Sequence, residues 1–352
     1  MKGFNYYNPV KINYEFSYLK AIDRILRQYS EILVVTTCGT LKRLPDLFKL
    51  ISERDGVDVV SDIDPNPQLE FLQQKKQELK KYQCILAMGG GSVMDSAKFF
   101  CVDDVITPNN GELQIPSGSS FTPIFAVPTT SGTSSELTKW ATIWDSSNCI
   151  KYSLNHEKLY PSEVFYDTHL MMSLSRNETI NGALDTLSHA FESIWNKNNN
   201  PISTNYAIMA IEMILEILPK LLDDLYSFEK RKKIVLSNIY AGLAFSNTQT
   251  ALAHALSYPI TMKLNVPHGI ACSITLPILM QNMKECEEKA IVSSYTQKVI
   301  ALFHKIGVST KLDNYGITQG FVDEIFSSLN SRAKNGLFDI EEIKKVIKAQ
   351  CF

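Results

Sequence analysis

The chain has 352 residues, 45% of them hydrophobic and 20% charged. That balance excludes disordered, fibrous and collagen-like classes, and the length suffices for about two domains with cores of their own. With 35 Lys and Arg against 37 Asp and Glu the formal charge is −2, so no basic excess points to a nucleic-acid partner.

The 7 cysteines (Cys38, Cys84, Cys101, Cys149, Cys272, Cys286 and Cys351) are scattered, odd in number and without a CxxC pair. That is the pattern of reduced structural thiols in a cytoplasmic protein. Residues 1–5 lack the apolar core of a signal peptide. The longest apolar stretches, residues 32–35 and 274–280, fall short of a membrane span. A soluble, cytoplasmic protein without a membrane partner is expected.

In chain order, short β-rich runs alternate with helical patterns up to about residue 165. Strands are predicted over residues 32–36, 57–60, 84–88 and 123–127, with helices near 41–53, 67–82 and 92–102. Crossovers of that length predict a parallel α/β sheet. Beyond residue 170 the pattern is helical, over 180–195, 202–225, 232–258 and 295–306, with Pro259, Pro267 and Pro277 as punctuation. Pro161 breaks the texture. The expected division is an α/β domain over residues 1–165 and an all-helical domain over 166–352.

Gly89-Gly90-Gly91-Ser92 follows a predicted strand directly and opens a helix. Bare backbone amides at a helix N-terminus bind phosphate or pyrophosphate. The run is neither GxGxxG nor GxxxxGK[ST], and a tight strand-to-helix turn capped by Ser92 and Asp95 is the alternative. After the next strand, residues 128–136 carry 6 hydroxyl side chains. In open α/β sheets, ligands collect at the carboxyl ends of strands, so two polar loops there favour a nucleotide cleft.

There are 6 histidines: His156, His169, His189, His254, His268 and His304. Asp185 and His189 are spaced i,i+4, and with Ser188 and Glu192 they form a polar stripe that alone reads as a solvated helix face. His254 lies among small apolar residues in a helix expected to be buried, where an imidazole needs a partner or a metal. His268 follows past Pro259, on a loop or at the next helix start, free to point back. One carboxylate with three imidazoles suits Fe²⁺ or Zn²⁺, although spacing alone leaves the metal site open.

Together these segments resemble the iron-containing (group III) alcohol dehydrogenase family. The resemblance rests on residues 89–98, 128–136 and 182–192, then on residues 253–259 and Pro267-His268-Gly269, and it covers nearly the whole chain. It implies a dinucleotide-binding α/β domain followed by a helical metal-binding domain. By motif match Asp185, His189, His254 and His268 would be the metal ligands. Gly89, Gly90, Gly91 and Ser92 would hold the pyrophosphate, and Thr129, Thr130 and Thr133 would line the cofactor cleft. Asn66, in Asp64-Pro65-Asn66-Pro67, resembles the family's Asn-Pro element near the cofactor, and Lys151 a lysine near its ribose. Asp95 resembles an aspartate near the nicotinamide, with helix capping as its alternative.

Two departures bear on chemistry. Many members carry a second histidine four residues after the third ligand, where this chain has Tyr258, so a proton relay through that histidine does not carry over. A phenol in its place would need its pKa, ordinarily about 10, lowered; a packed core tyrosine is the alternative. NAD-preferring members often have an acidic residue just after the second strand. Residues 36–43 here have none and include Lys42 and Arg43, which favours NADP(H) over NAD(H), unless those two side chains simply face solvent.

The expected function is reversible hydride transfer between a nicotinamide and a small alcohol or aldehyde, with Fe²⁺, or else Zn²⁺, as Lewis acid. The alternatives are a polyol dehydrogenase of the glycerol dehydrogenase type, a dehydroquinate-synthase-like lyase, and a non-catalytic nucleotide- and metal-binding protein. Residues 7–12 and 254–261 are similar to family members acting on phosphonoacetaldehyde. The resemblance also implies a homo-oligomer.

Overall fold

A computed structural model describes residues 3–148 and 150–351. Cys149, one of the thiols read from sequence, lies outside the described residues, as do Met1 and Lys2 of the N-terminal segment. The chain forms two compact units, and their division differs from the expected one.

The first unit comprises Pro9–Thr130 and Ser134–Ser173. Its elements begin with β1 (Lys11–Tyr14), α1 (Tyr18–Gln28), β2 (Ile32–Val35), α2 (Cys38–Arg43), α3 (Pro45–Ser52) and β3 (Val57–Val60). Then come α4 (Leu69–Glu78), β4 (Cys84–Gly89), α5 (Gly91–Phe100), β5 (Thr107–Asn109), β6 (Glu112–Gln114) and β7 (Ile124–Pro128). Finally β8 (Trp140–Asp145), β9 (Ile150–Asn155) and β10 (Glu163–Tyr166) complete it.

Six strands make one sheet in the order β1-β10-β7-β4-β2-β3, every pair parallel. Parallel strands covered on both faces read as continuous apolar runs, and β2 and β4 are buried along their whole length. The chain runs from β2 outward to β3, then crosses back to β4 on the other side of β2. That reversal puts a topological switch point between the carboxyl ends of β2 and β4, the place where such sheets bind ligands. Thr36 Oγ1 ties the two ends together by donating to Met88 O at 2.8 Å.

The helix predicted over 41–53 is split, because Pro45 takes the first position of α3 and Leu44 adopts a non-helical ψ of 71°. A second, four-stranded sheet, β5-β6-β9-β8, has no counterpart in the sequence expectations. Its β5 and β6 are only 3 residues each, with Pro108 in β5, although β8 and β9 have 6 residues each. The legible signal was Asn110-Gly111, whose φ values of 46° and 78° close the β5–β6 hairpin.

The second unit comprises Met1–Asn8, Ser131–Thr133 and Leu174–Phe352. The division therefore falls at Ser173, beyond the expected 165, because β10 pairs with β1 and β7 and, past its end, Leu170 still packs into the core of the sheet unit. This unit is helical: α6 (Arg176–Ile194), α7 (Pro201–Leu222), α8 (Phe228–Thr248), α9 (Leu252–Leu264) and α10 (His268–Ser273) come first. Shorter helices follow, Thr296–Ile306 and Ile340–Lys348 among them. A capping box of Ser175 with Glu178 starts α6, and Asn200 with Pro201 starts α7. Leu184, Leu187, Phe191, Ile211, Ile214 and Leu218 are central to the core of this unit.

The helix predicted over 232–258 is two helices. The break lies at Gln249, whose φ of 69° ends α8, and not at Pro259, which is accommodated inside α9. Tertiary hydrogen bonds overdetermine the break: Asn196 Nδ2 donates to Gln249 O at 3.1 Å, and Asn335 Nδ2 donates to Thr250 O at 3.3 Å. Among the described residues no helix is long and apolar enough to cross a membrane.

Candidate metal centre and nucleotide loop

The polar stripe on α6 is not a solvated face. Asp185 is 3% exposed, His189 5%, and Ser188 and Glu192 0%, so four polar side chains point into the helical unit. His254 sits in the first turn of α9 and is equally buried. His268 is the first residue of α10, as the sequence predicts for a helix start.

These side chains converge on one carboxylate. Asp185 Oδ1 is 3.2 Å from His254 Nε2, 3.7 Å from His189 Nδ1 and 4.0 Å from His268 Nε2. The rings of His189 and His254 stack with centroids 4.4 Å apart, and Phe245 covers the other face of His189 at 4.0 Å. Ligand atoms of Asp185, His254, His268 and Cys272 all lie within 4.8 Å of one another. The buried Nδ1 of His189 has no hydrogen-bond partner, which is costly for an imidazole nitrogen unless something else satisfies it.

The electrostatics follow from this packing. Burial would push the Asp185 carboxyl up, but the imidazoles of His189, His254 and His268 outweigh it and hold Asp185 well below the usual range. Burial lowers His189 to about 4. Burial would lower His254 too, yet the Glu192 charge and bonds to Asp185 and Glu192 raise it to about 9. Cys272 Sγ donates to Asp185 Oδ1 at 3.5 Å and to Gly269 O at 3.4 Å. Burial, then the Asp185 charge, raises this thiol well above its ordinary value. The donor set, one ionised carboxylate among three imidazoles with an orphaned nitrogen, fits a divalent iron or zinc ion.

Tyr258 lies one helical turn after His254. Its ring stacks on His268 with centroids 6.1 Å apart and an interplanar angle of 13°. Burial raises its phenol to about 12, with the Arg332 guanidinium pulling the other way. The lowering that a proton-relay phenol requires is thus absent from the protein's own groups.

In the sheet unit the glycine loop joins β4 to α5. Gly90 is the N-cap of α5, and no side chain caps this helix. The proposed Ser92–Asp95 capping pair does not form. Ser92 Oγ accepts from Asn66 N at 3.2 Å, while Asp95 accepts from Ser135 Oγ at 2.6 Å and Thr142 N at 2.9 Å. A Cβ at Gly90 would stand 3.0 Å from Thr130 Oγ1, and Thr129 N donates to Gly89 O at 3.0 Å. The loops after β4 and β7 therefore close on each other, and a larger residue at Gly90 would wedge them apart. Thr129 and Thr130 belong to this unit, whereas Thr133 belongs to the helical one. Lys151, on β9, is one of the charges acting on Asp95.

Sequence reasoning passed over Lys98, which is wholly buried. Its ammonium donates to Ser135 O, Ser135 Oγ, Thr138 Oγ1 and Trp140 O at 2.6–2.9 Å, pinning the hydroxyl-rich loop. The available signal was a lysine on the apolar side of a helix that directly follows a glycine loop.

Two family models match the chain: iron-containing alcohol dehydrogenase over residues 9–168, and the C-terminal domain of the Fe-containing alcohol dehydrogenase family over 179–338. The chain belongs to the iron-containing alcohol dehydrogenase family. The family and the fold class read from sequence both stand, and the family is one of oxidoreductases.

A phosphonoacetaldehyde reductase of Streptomyces viridochromogenes is 30% identical over 246 residues, 67% of this chain and 62% of its own length. An NADPH-dependent butanol dehydrogenase of Clostridium saccharobutylicum is 27% identical over 317 residues, 81% of this chain and 80% of its own. The crystal structure of sulfoacetaldehyde reductase from Bifidobacterium kashiwanohense in complex with NAD+ superposes with a TM-score of 0.88 at 25% identity, covering 99% of both chains. Across these and other curated relatives the matched stretch spans from 38% to 80% of the relative's length.

Proposed function

We propose that this protein is a metal-dependent, NAD(P)-linked alcohol dehydrogenase acting as an aldehyde reductase. Asp185, His189, His254 and His268 hold a divalent ion, iron in preference to zinc. The observation that carries this reading is the convergence of three imidazoles on the Asp185 carboxylate, with the buried Nδ1 of His189 left without a hydrogen-bond partner. His189 is the fourth ligand in preference to Cys272, because its buried Nδ1 has no hydrogen-bond partner whereas Cys272 Sγ already donates to Asp185 Oδ1 and Gly269 O.

An ion held there would supply Lewis acidity toward an aldehyde oxygen, and a bound reduced nicotinamide would supply the hydride. The chain's own residues set the conditions for both. Asp185 stays ionised, so one negative charge faces a divalent ion and leaves the centre net positive. His189 and His254 bring rings that are stacked and locked by Phe245 and Glu192. Tyr258 keeps its phenolic proton at neutral pH, which suits a hydrogen-bond donor and not a general base.

The cofactor reading rests on Gly89, Gly90, Gly91 and Ser92 at the N-terminus of α5, with Asn66, Thr129, Thr130, Thr133, Asp95 and Lys151 as the further residues carried by the resemblance. NADP(H) is favoured over NAD(H). The support for this is that no carboxylate follows β2; Lys42 and Arg43, in the last turn of α2, are both exposed, so these two side chains lend it none. The substrate class is a short aldehyde bearing an anionic group, phosphonoacetaldehyde first. Support comes from two relatives named for such aldehydes, and Arg332, whose charge acts on Tyr258, is the residue proposed to meet the anionic group. A cytoplasmic homo-oligomer completes the reading, in keeping with the six free cysteines among the described residues.

His268→Ala tests it. The variant is expected to stay folded while metal content and NADPH-dependent aldehyde reduction disappear together. Full activity in a metal-free His268→Ala protein would contradict the proposal.

A further inference from the structure

Glu192 lies in the last turn of α6 and is fully buried. All of its hydrogen bonds go to the start of α9. Oε2 accepts from Ala251 N at 2.9 Å, Oε1 accepts from His254 N at 3.1 Å, and Oε2 lies 2.7 Å from His254 Nδ1. No lysine or arginine among the described residues pairs with it; the burial cost that would push its carboxyl up is outweighed by His254 and by the two backbone amides.

We infer that Glu192 is a positioning residue of the metal centre, fixing His254 with a proton on Nδ1 so that the Nε2 lone pair faces the ion. The inference rests on the metal-site reading above. An ionised carboxylate only accepts hydrogen bonds, so its 2.7 Å contact with Nδ1 requires the hydrogen to be on that nitrogen. In a ligating imidazole the lone pair then falls to Nε2, the atom 3.2 Å from Asp185 Oδ1.

The same carboxylate also sets where the ring starts from. Helix α9 has no side-chain cap of its own, and its first amides would otherwise be unsatisfied. Glu192 supplies acceptors for two amides there and places negative charge at the helix N-terminus, where the dipole favours it. Backbone origin, ring rotation and tautomer of His254 are thus fixed by one group.

Glu192→Gln keeps the shape but replaces one acceptor oxygen with an NH2 donor. Either a backbone amide of α9 or His254 Nδ1 then meets a donor, and the latter case drives the proton toward Nε2. With the full-length protein, Zn²⁺ affinity measured by chelator competition is expected to fall about 10–100-fold in this variant. A folded Glu192→Gln protein that binds Zn²⁺ as tightly as wild type would overturn the inference.

A second measurement needs no variant at Glu192. In Zn²⁺-loaded wild-type protein with ¹⁵N-labelled histidine, the His254 ring, assigned through His254→Asn, is expected to carry its proton on Nδ1. A ring proton on Nε2 would overturn the inference whatever the Gln variant does. A wild-type protein that binds none of Zn²⁺, Co²⁺ or Fe²⁺ would bring down the metal-site reading itself, and that outcome is distinct from a selective failure at Glu192.

Discussion

Asn181 Oδ1 accepts a hydrogen bond from Gly269 N at 2.8 Å, and a Cβ on Gly269 would stand 1.8 Å from Asn181 O. Helix α10 therefore meets α6 at a distance only glycine permits, with Asn181 satisfying its first amides. This approach is what brings His268 to the Asp185 side chain. Along α6, Asn181 receives the helix carrying His268, Asp185 and His189 face the centre, and Glu192 receives the helix carrying His254. One helix thus organises all four candidate ligands.

Gly269→Ala is accordingly expected to push α10 away from α6. Forcing a methyl into packed backbone costs about 1–3 kcal/mol. The melting temperature should fall, and metal retention after dialysis should fall further than that loss alone explains. An alanine variant that keeps wild-type metal content would show that the close approach is not what places His268.

His189 and Cys272 give opposite expectations. His189→Ala removes the orphaned nitrogen and should weaken metal binding by more than about tenfold, the lower end of what even supporting residues contribute. Cys272→Ser keeps a donor toward Asp185 and should leave metal affinity within a few-fold of wild type. Cobalt substitution reads the difference spectroscopically. A sulfur-to-cobalt charge-transfer band lost in Cys272→Ser would place the thiol in the ligand set instead.

Proton competition sets the pH dependence of loading. Burial would lower the His254 pKa, but Glu192 and Asp185 raise it from 6.5 to about 9 in the metal-free protein. A metal ion must displace that proton, so affinity is expected to rise with pH up to about 9, by about tenfold per pH unit where a single proton is displaced. His189, at about 4, is already deprotonated over that range and adds no slope. Chelator competition between about pH 7 and about pH 9 measures this, and a flat profile would contradict it.

How much of this was legible in sequence differs from element to element. The buried parallel strands were readable because β-branched runs such as residues 32–35 have no other home. The ligand spacing was readable through motif resemblance, while periodicity placed Asp185, His189 and Glu192 on a solvated face. Amphipathic patterning fails there because α6 is buried on nearly all sides, so its polar stripe faces other helices. The break at Gln249 was invisible since it is imposed by Asn196 and Asn335 from distant parts of the chain. Pro259 misled for the complementary reason: tertiary packing holds the helix through it.

Under the proposed reading, Arg332 is the residue to test for holding the anionic group of the substrate. Arg332→Ala should raise KM for phosphonoacetaldehyde about tenfold or more, because a hydrogen bond to a charged group contributes about 1.5–3 kcal/mol. Turnover of an uncharged aldehyde of similar length should change little. Equal losses on both aldehydes would assign Arg332 a structural role beside Tyr258.

The central claim is most directly tested by metal analysis of protein purified without oxygen, coupled to NADPH oxidation with phosphonoacetaldehyde as substrate. Near-stoichiometric iron or zinc with aldehyde-dependent oxidation is the predicted result. Bound metal with no oxidation of NADPH or NADH by this or any other short aldehyde would leave the fold intact and contradict the chemistry.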